Sequence, residues 1–193
     1  IRRQLKSFLR QAGEEDTVIV FGAGHGVRDA DGEYYFLTSD ATPTDPYAGI
    51  SRHDIEKLVT WSGLRARRKV LLLDTCHSGA GSADSETRAR GAEPLFPQEH
   101  VNQIIEGQGG GTYILAASSD GGAALEADGN GLFTAGIIAA LNGAGDSNGD
   151  GNVSVEELRA FVVGFVEEKT EGRQRPTFPL VEGGDDFPLA STN

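Results

Sequence analysis

Two apolar runs, each followed directly by small and chemically reactive residues, constrain the fold of this chain more than any other feature. Residues 17–21 lead into Gly22-Ala23-Gly24-His25-Gly26, and residues 69–73 lead into Asp74-Thr75-Cys76-His77-Ser78-Gly79. Branched aliphatic runs without alternation are typical of strands buried in a parallel sheet. Because ligands bind at the carboxyl ends of such strands, the two runs predict an active-site edge that carries His25 and Cys76.

The thiol of Cys76 and the imidazole of His25 can serve as a nucleophile and its base. A lone cysteine at a strand end can equally be a small buried hydrophobic residue. The glycines on both sides of His25 favour the catalytic interpretation, because they permit close approach of a substrate to the backbone. The other histidines either adjoin Cys76 or lie in predicted helical and linker segments: His77, His53 and His100.

Strands and helices alternate along the chain, which predicts an α/β fold with a mostly parallel sheet covered by helices on both faces. Helices are predicted at residues 1–11, 51–61, 98–106, 132–141 and 155–169, and strands at 16–21, 33–37, 69–76 and 112–117. Ser51 and Asp54 form a predicted capping box at the start of the second helix. The first helix is expected to bury Ile1, Leu5, Phe8 and Leu9. An exit loop after the first strand is expected to hold His25.

Composition limits the classes of protein to which the chain can belong. Its 193 residues suit one domain, and its single cysteine excludes an intramolecular disulfide and suits a reducing, cytoplasmic compartment. A net charge of −12 argues against nucleic acid and favours cations and basic peptides as partners. No apolar stretch is long enough to span a bilayer.

The blocks Gly24-His25-Gly26 and Asp74-Thr75-Cys76-His77-Ser78-Gly79 resemble those of caspase-like (clan CD) cysteine peptidases, in particular the bacterial metacaspase-like or orthocaspase-like branch. Residues 114–121 and 131–134 resemble the start of that family's small subunit. The resemblance implies a three-layer αβα peptidase domain over 1–193, with a large-subunit part at about 1–80, a linker at 81–97 and a small-subunit part at 98–193. It also implies a Cys76–His25 dyad whose oxyanion is held by the N–H groups of Gly26 and Cys76. A further N-terminal strand, or a partner chain supplying it, is expected before residue 1.

Asp74 and Asp120 are the candidates for binding a basic substrate residue. Asp74 stands two positions before Cys76, on the same side of an extended strand, and the matching aspartate of metacaspase-like enzymes helps to bind Arg or Lys before the cleaved bond. A carboxylate that caps nearby amides is the alternative for Asp74, and an ordinary turn is the alternative for Asp120. Arg88 and Arg90, in the predicted linker, are candidate self-processing sites or simply part of a charged loop.

Residues 146–157 match the calcium-binding EF-hand loop D-x-[DN]-x-[DN]-G-x5-E at every position. The expected oxygen ligands are the side chains of Asp146, Asn148, Asp150 and Glu157 and the carbonyl of Asn152. A turn rich in Gly, Asn and Asp without metal is the alternative.

The leading hypothesis is therefore a cysteine endopeptidase that cleaves after Arg or Lys and binds calcium. Its alternative is a catalytically silent, caspase-like calcium-binding module that interacts with partners. Another peptidase group with the same His-Gly and Cys blocks would differ more in substrate than in chemistry.

Overall fold

The computed structural model describes residues 1–77, 111–117, 126–127, 130–178 and 185–192. The helices in these ranges are α1 (Arg2–Leu9), α2 (Arg52–Thr60), α3 (Leu132–Ala139) and α4 (Val155–Lys169). The strands are β1 (Thr17–Arg28), β2 (Tyr34–Phe36), β3 (Ile50–Ser51), β4 (Arg68–His77), β5 (Thr112–Ala116), β6 (Glu126–Ala127), β7 (Asn130–Gly131), β8 (Asn152–Ser154) and β9 (Pro188–Ser191). Several predicted features lie outside the described residues: the linker at 81–97, the helix at 98–106, and His100, Asp120, Arg88 and Arg90.

A five-stranded sheet in the order β3-β2-β1-β4-β5 forms the centre of the molecule. Strands β1, β4 and β5 are parallel, with Thr17 opposite Arg68 at one end of the β1–β4 ladder and Gly26 opposite His77 at the other. Strands β2 and β3 are antiparallel and extend the sheet beyond β1. The predicted α/β fold with a mostly parallel sheet is confirmed.

Helices cover both faces of β4, whose alternate residues belong to two different hydrophobic clusters. Val70 and Leu72 pack with α3 and α4, whereas Leu71 and Leu73 pack with Tyr34 and with Ile55 of α2. Burial on both faces explains why the β4 sequence is continuously apolar rather than alternating.

Strand β1 differs from this prediction because only one of its faces is covered by described residues. Ile19 and Phe21 are 45% and 48% exposed, although Val18 on the other face is buried. The cluster that contains α3 and α4 includes residues of β4 and β5 but none of β1. The prediction that β1 is buried on both sides is therefore wrong within the described part of the chain.

The predicted exit loop at His25 is also wrong, because β1 continues as a strand to Arg28. Pairing with β4 extends to Gly26, and an antiparallel hairpin with β2 extends the strand further. The hairpin was predicted, and its turn uses Gly32 at φ 83°, a conformation that glycine adopts without steric cost.

The four helix predictions that fall within the described residues hold, with corrected ends and one corrected buried face. The Ser51–Asp54 capping box is present, with Ser51 Oγ accepting a hydrogen bond from the Asp54 amide at 3.1 Å. In α1, however, Ile1 and Phe8 are 68% and 69% exposed, and only Leu9 is fully buried. This short helix contacts the core along one narrow line, the i and i+4 positions of Leu5 and Leu9.

The C-terminal part of the described chain contains two strands that were not predicted. After α3, a π-helical turn at Ala140–Ala144 leads to β8 and α4, and β9 then pairs with β8. No helix in the described ranges is long and apolar enough to cross a membrane.

Candidate active site

The β1–β4 ladder places His25 directly opposite Cys76, near the carboxyl ends of the two strands. Residues paired across a parallel ladder lie on the same face of the sheet. The side chain of His25 is exposed, and its carbonyl oxygen accepts a hydrogen bond from the amide of Leu37 at 2.8 Å. The register therefore brings the two residues of the predicted dyad to neighbouring positions at one edge of the sheet.

The glycines beside His25 are in close contact with aromatic rings of β2. A Cβ atom on Gly24 would lie 2.9 Å from Cζ of Phe36, and one on Gly26 would lie 2.3 Å from the hydroxyl oxygen of Tyr34. Gly26 itself lies in the sheet, opposite Phe36 on one side and His77 on the other. These aromatic contacts could not be predicted from the sequence, because a Tyr-Tyr-Phe strand does not reveal which strand its side chains will cross.

Asp74 is almost fully buried and connects β4 to the start of α3. Its Oδ2 accepts hydrogen bonds from the amide of Thr134, at 3.2 Å, and from the Thr134 hydroxyl. Gly131 makes room for this contact, since a Cβ there would lie 2.7 Å from Oδ2. These contacts match the capping alternative for Asp74, while its role in substrate binding stays a prediction. Thr134 was not identified from the sequence as its partner.

His53 provides a comparison with His25 among the described histidines. Its side chain lies on α2, is 66% exposed and is 3.8 Å from Glu56. A solvated histidine was predicted at this position. Nothing in its surroundings links it to the His25–Cys76 edge.

The predicted calcium loop forms a tight turn in which short acidic and amide side chains accept hydrogen bonds from the backbone ahead of them. Asp146 accepts from the amides of Gly149 and Gly151 at 2.8 and 3.0 Å. Asn148 accepts from the Asp150 amide at 2.8 Å, and Asp150 accepts from the Asn152 amide at the same distance. Gly151 has φ 82°, which supports the sharp turn expected at this position.

Glu157, the last residue of the loop motif, closes the loop. Its Oε1 accepts from the amides of Ser147 and Asn148 at 3.0 and 3.2 Å, and its Oε2 accepts from the Ser154 amide at 3.0 Å. The hydrogen bond from the Ser154 backbone, followed by those from Ser147 and Asn148, lowers the pKa of Glu157 below its usual value. The carboxylate is therefore ionised at neutral pH, as a calcium ligand must be.

The donor groups in this loop are all oxygens, which is the ligand type that calcium prefers. Among the described residues, no three His, Cys, Asp or Glu side chains are gathered so that they could hold a metal ion. Calcium binding by this loop would therefore depend on the amide and carbonyl oxygens of Asn148 and Asn152 and on reorientation of Glu157.

Comparison with known proteins assigns the family of the chain. The crystal structure of protein GSU0716 from Geobacter sulfurreducens matches with a TM-score of 0.56 and 16% identity, covering 100% of this chain and 73% of that one. At this identity the match supports the fold alone. Among curated proteins, none matches the sequence. The family model of the caspase domain, Peptidase_C14, matches residues 1–184. This chain therefore belongs to the caspase domain family, which supports peptidase activity in general.

Proposed function

We propose that this protein is a cysteine endopeptidase in which Cys76 is the nucleophile and His25 the general base, and that it cleaves after Arg or Lys. The observation that carries the proposal is the β1–β4 register, which pairs these two residues at the carboxyl edge of the sheet. Family membership supports the same class of chemistry.

In the proposed mechanism, His25 takes the thiol proton of Cys76, and the resulting thiolate attacks the carbonyl carbon of the scissile peptide and forms a tetrahedral intermediate. The N–H groups of Gly26 and Cys76 are the proposed oxyanion donors. Because Gly26 pairs with Phe36 and His77 in the sheet, this role requires the end of the ladder to open when substrate binds. As the C–N bond breaks, His25 donates a proton to the leaving amine, and a thioester remains on Cys76. His25 then takes a proton from a water molecule as the water oxygen attacks the thioester. The C–S bond breaks and that proton returns to the Cys76 sulfur, which releases the carboxylic acid and restores the dyad.

The preference for a basic residue is proposed to come from Asp74, with Asp120 as a second contributor. Both observed hydrogen bonds from Thr134 go to Oδ2 of Asp74, so an approaching guanidinium or ammonium would pair with Oδ1. The net charge of −12 also favours cationic substrates.

Matched fluorogenic peptides that end in Arg, Lys and Asp test this proposal. We expect turnover of the Arg and Lys peptides, and we expect Cys76→Ala and His25→Ala each to lower kcat/KM by roughly 10⁴-fold or more. His53→Ala is the matched control, since it removes an exposed histidine far from the dyad and should leave kcat/KM unchanged. A preference for Asp, or full activity of His25→Ala, would refute the proposal.

We also propose self-processing at Arg88 or Arg90, which would separate the large-subunit and small-subunit parts. The test is the size of the purified chain after incubation of wild type and of Cys76→Ala. Cleavage of wild type alone supports self-processing. If Cys76→Ala is cut at the same arginines, an external protease is responsible.

The loop at 146–157 is proposed to bind Ca²⁺ through Asp146, Asn148, Asp150, Asn152 and Glu157. Support comes from the complete loop motif and the all-oxygen donor set. Calorimetric titration with CaCl₂ should show binding to wild type. The control Glu156→Gln should also bind, because the wild-type Glu156 carboxylate accepts a hydrogen bond from Arg159 rather than from the loop. Glu157→Gln should weaken binding strongly, and unchanged binding would remove the assignment.

A catalytically silent calcium-binding module is the alternative function, and the same loop is the feature that favours it. A thiol-reactive peptide that ends in Arg distinguishes the two functions. Only an assembled active site should label Cys76 faster with this peptide than with the same reactive group without a peptide. Rapid, His25-dependent labelling supports the peptidase. Labelling at the rate of a simple exposed thiol supports the silent module.

A further inference from the structure

We propose that Tyr34 and Phe36 are positioning residues for His25, holding the end of β1 from the face of the sheet opposite the imidazole. This inference rests on the proposed function, since it assigns a role in placing the proposed general base. Neither residue is expected to touch the substrate.

The proposal starts from a glycine trough, which we define as Gly22, Gly24 and Gly26. These residues alternate along β1, so they share one face of the strand, and His25 lies on the other. Because glycine has no side chain, this face of β1 is a shallow channel. The rings of β2 occupy it, with Phe36 over Gly24 and Tyr34 over Gly26.

Tyr34 shares a hydrophobic cluster with residues of the strand that carries Cys76. Its side chain is 0% exposed and belongs to one hydrophobic cluster with Leu71 and Leu73 of β4. A methyl group at position 26 would overlap the ring, since its carbon would lie 2.4 Å from Cε2 and 2.6 Å from Cζ of Tyr34. The ring of Tyr34 can therefore occupy this position only because residue 26 is glycine.

Strand β2 and Leu37, the residue that follows it, also hold the main chain of His25. The Leu37 amide donates to the His25 carbonyl at 2.8 Å, and Phe36 is the ladder partner of Gly26. His25 itself is exposed, so its direction depends on the backbone that carries it rather than on close packing of the imidazole. The rings of Tyr34 and Phe36 and the hydrogen bond from Leu37 thus hold the backbone of His25 in place.

A shift of the β1 backbone would move the imidazole relative to Cys76. Misplacement of a catalytic group by about 1 Å can cost roughly 100-fold in rate. Loss of the rings should therefore lower the catalytic rate in addition to the stability that a buried ring contributes.

A double-mutant cycle on Gly26 and Tyr34 tests the inference, using kcat/KM for the Arg peptide and the rate of Cys76 alkylation by iodoacetamide from acid to neutral pH. Gly26→Ala is expected to lower kcat/KM roughly 100-fold and Tyr34→Leu roughly 10-fold. The double variant should be less impaired than the product of the two effects, because leucine lacks the ring atoms that the new methyl group would meet. Alkylation is specific, because Cys76 is the only cysteine.

Ile55→Ala is the matched control, since Ile55 is buried in the same hydrophobic cluster but lies on α2, away from the glycine trough. It should lower thermal stability while leaving the pH profile of alkylation unchanged. If Ile55→Ala alters that profile as Tyr34→Leu does, the effect is general destabilisation and the inference is wrong. Independent, multiplicative effects of Gly26→Ala and Tyr34→Leu would also overturn it.

Two further comparisons keep the test decisive. If Gly26→Ala does not fold, the milder pair Gly24→Ala and Phe36→Leu provides the same cycle, because Phe36 is only half-buried. If His25→Ala leaves the alkylation profile of wild type unchanged, the proposed dyad fails. If His25→Ala changes the profile and both trough cycles show independent effects, only the positioning role fails.

Discussion

The candidate active site at the carboxyl ends of β1 and β4 and the loop at 146–157 are built in opposite ways. His25 and Cys76 meet through a strand ladder, and the Asp74–Thr134 contact joins residues 60 positions apart. In the loop, most hydrogen bonds connect residues two to five positions apart, and the bonds of Glu157 extend this to ten. The site therefore depends on the assembled sheet, whereas the loop conformation depends mainly on a contiguous piece of sequence.

The loop is nevertheless attached to the rest of the domain, in particular through β9. Val153 is completely buried and pairs with Ala190 of β9, and the Thr192 amide donates to the Gly151 carbonyl at 2.9 Å. Local hydrogen bonds shape the loop, and this strand pair fixes its position on the domain. Substitutions within the loop should thus alter mainly the loop itself, whereas substitutions at the candidate active site should affect several helices and strands.

The largest expected effect in this comparison belongs to Asp74→Ala. It removes a buried helix cap and leaves the Thr134 amide and hydroxyl without their acceptor, which should cost about 2 kcal/mol in the free energy of unfolding. Urea denaturation followed by circular dichroism measures this. Asp150→Ala, which removes an exposed loop contact, should cost about 0.5 kcal/mol. Equal losses from the two variants would contradict the contrast.

Gly151→Ala should have the next largest effect and should remain confined to the loop. Its φ of 82° is unfavourable for alanine by about 1 kcal/mol, so the urea midpoint should fall. Gly164→Ala is the matched control, because Gly164 lies within α4 and nothing would meet its Cβ within 4 Å. That change should stabilise the helix by about 0.8 kcal/mol. A loss of stability in Gly164→Ala, or none in Gly151→Ala, would refute the backbone argument.

Two matched capping boxes, one inside the loop at 146–157 and one outside it, should give effects of similar size. Ser154→Ala at the start of α4 and Ser51→Ala at the start of α2 each remove a side-chain acceptor for the third helical amide. Each should cost about 1 kcal/mol by urea denaturation. A large difference between them would show that tertiary context, rather than the cap itself, sets the value.

The smallest effect is the pH dependence contributed by Glu157. Because folding lowers its pKa, its carboxylate stabilises the folded protein above its usual pKa of 4.5, and this contribution is lost as the pH falls through the lowered value. The difference in urea midpoint between wild type and Glu157→Gln should therefore shrink on acidification. The difference between wild type and Gly164→Ala, which adds no titrating group, should not follow this curve.

Local patterns in the sequence predicted several parts of the structure well. The capping box at Ser51, the helix at Val155–Lys169 and the turn before β2 depend on residues close together in sequence. Their physical causes, which are side-chain caps, 3.6-residue periodicity and turn chemistry, are visible without the fold. The buried strands β4 and β5 were predicted from their continuous apolar runs, which are also visible without the fold.

Other features could not be predicted, because they depend on which elements become neighbours. The exposure of Ile19 and Phe21 depends on helices α3 and α4 covering β4 and β5 but not β1. The partner of Asp74 depends on where α3 begins relative to β4. Periodicity alone indicates neither relationship.

The amino-acid sequence by itself determined the strands that carry His25 and Cys76, the loop motif at 146–157 and the alternation that produces an α/β sheet. Only the tertiary structure decided that His25 lies opposite Cys76, that Tyr34 and Phe36 fill the glycine trough, and that Asp74 caps α3. The physical reason is range: caps, turns and periodic faces are formed by neighbours in sequence, whereas register and ring packing are chosen when distant strands pair.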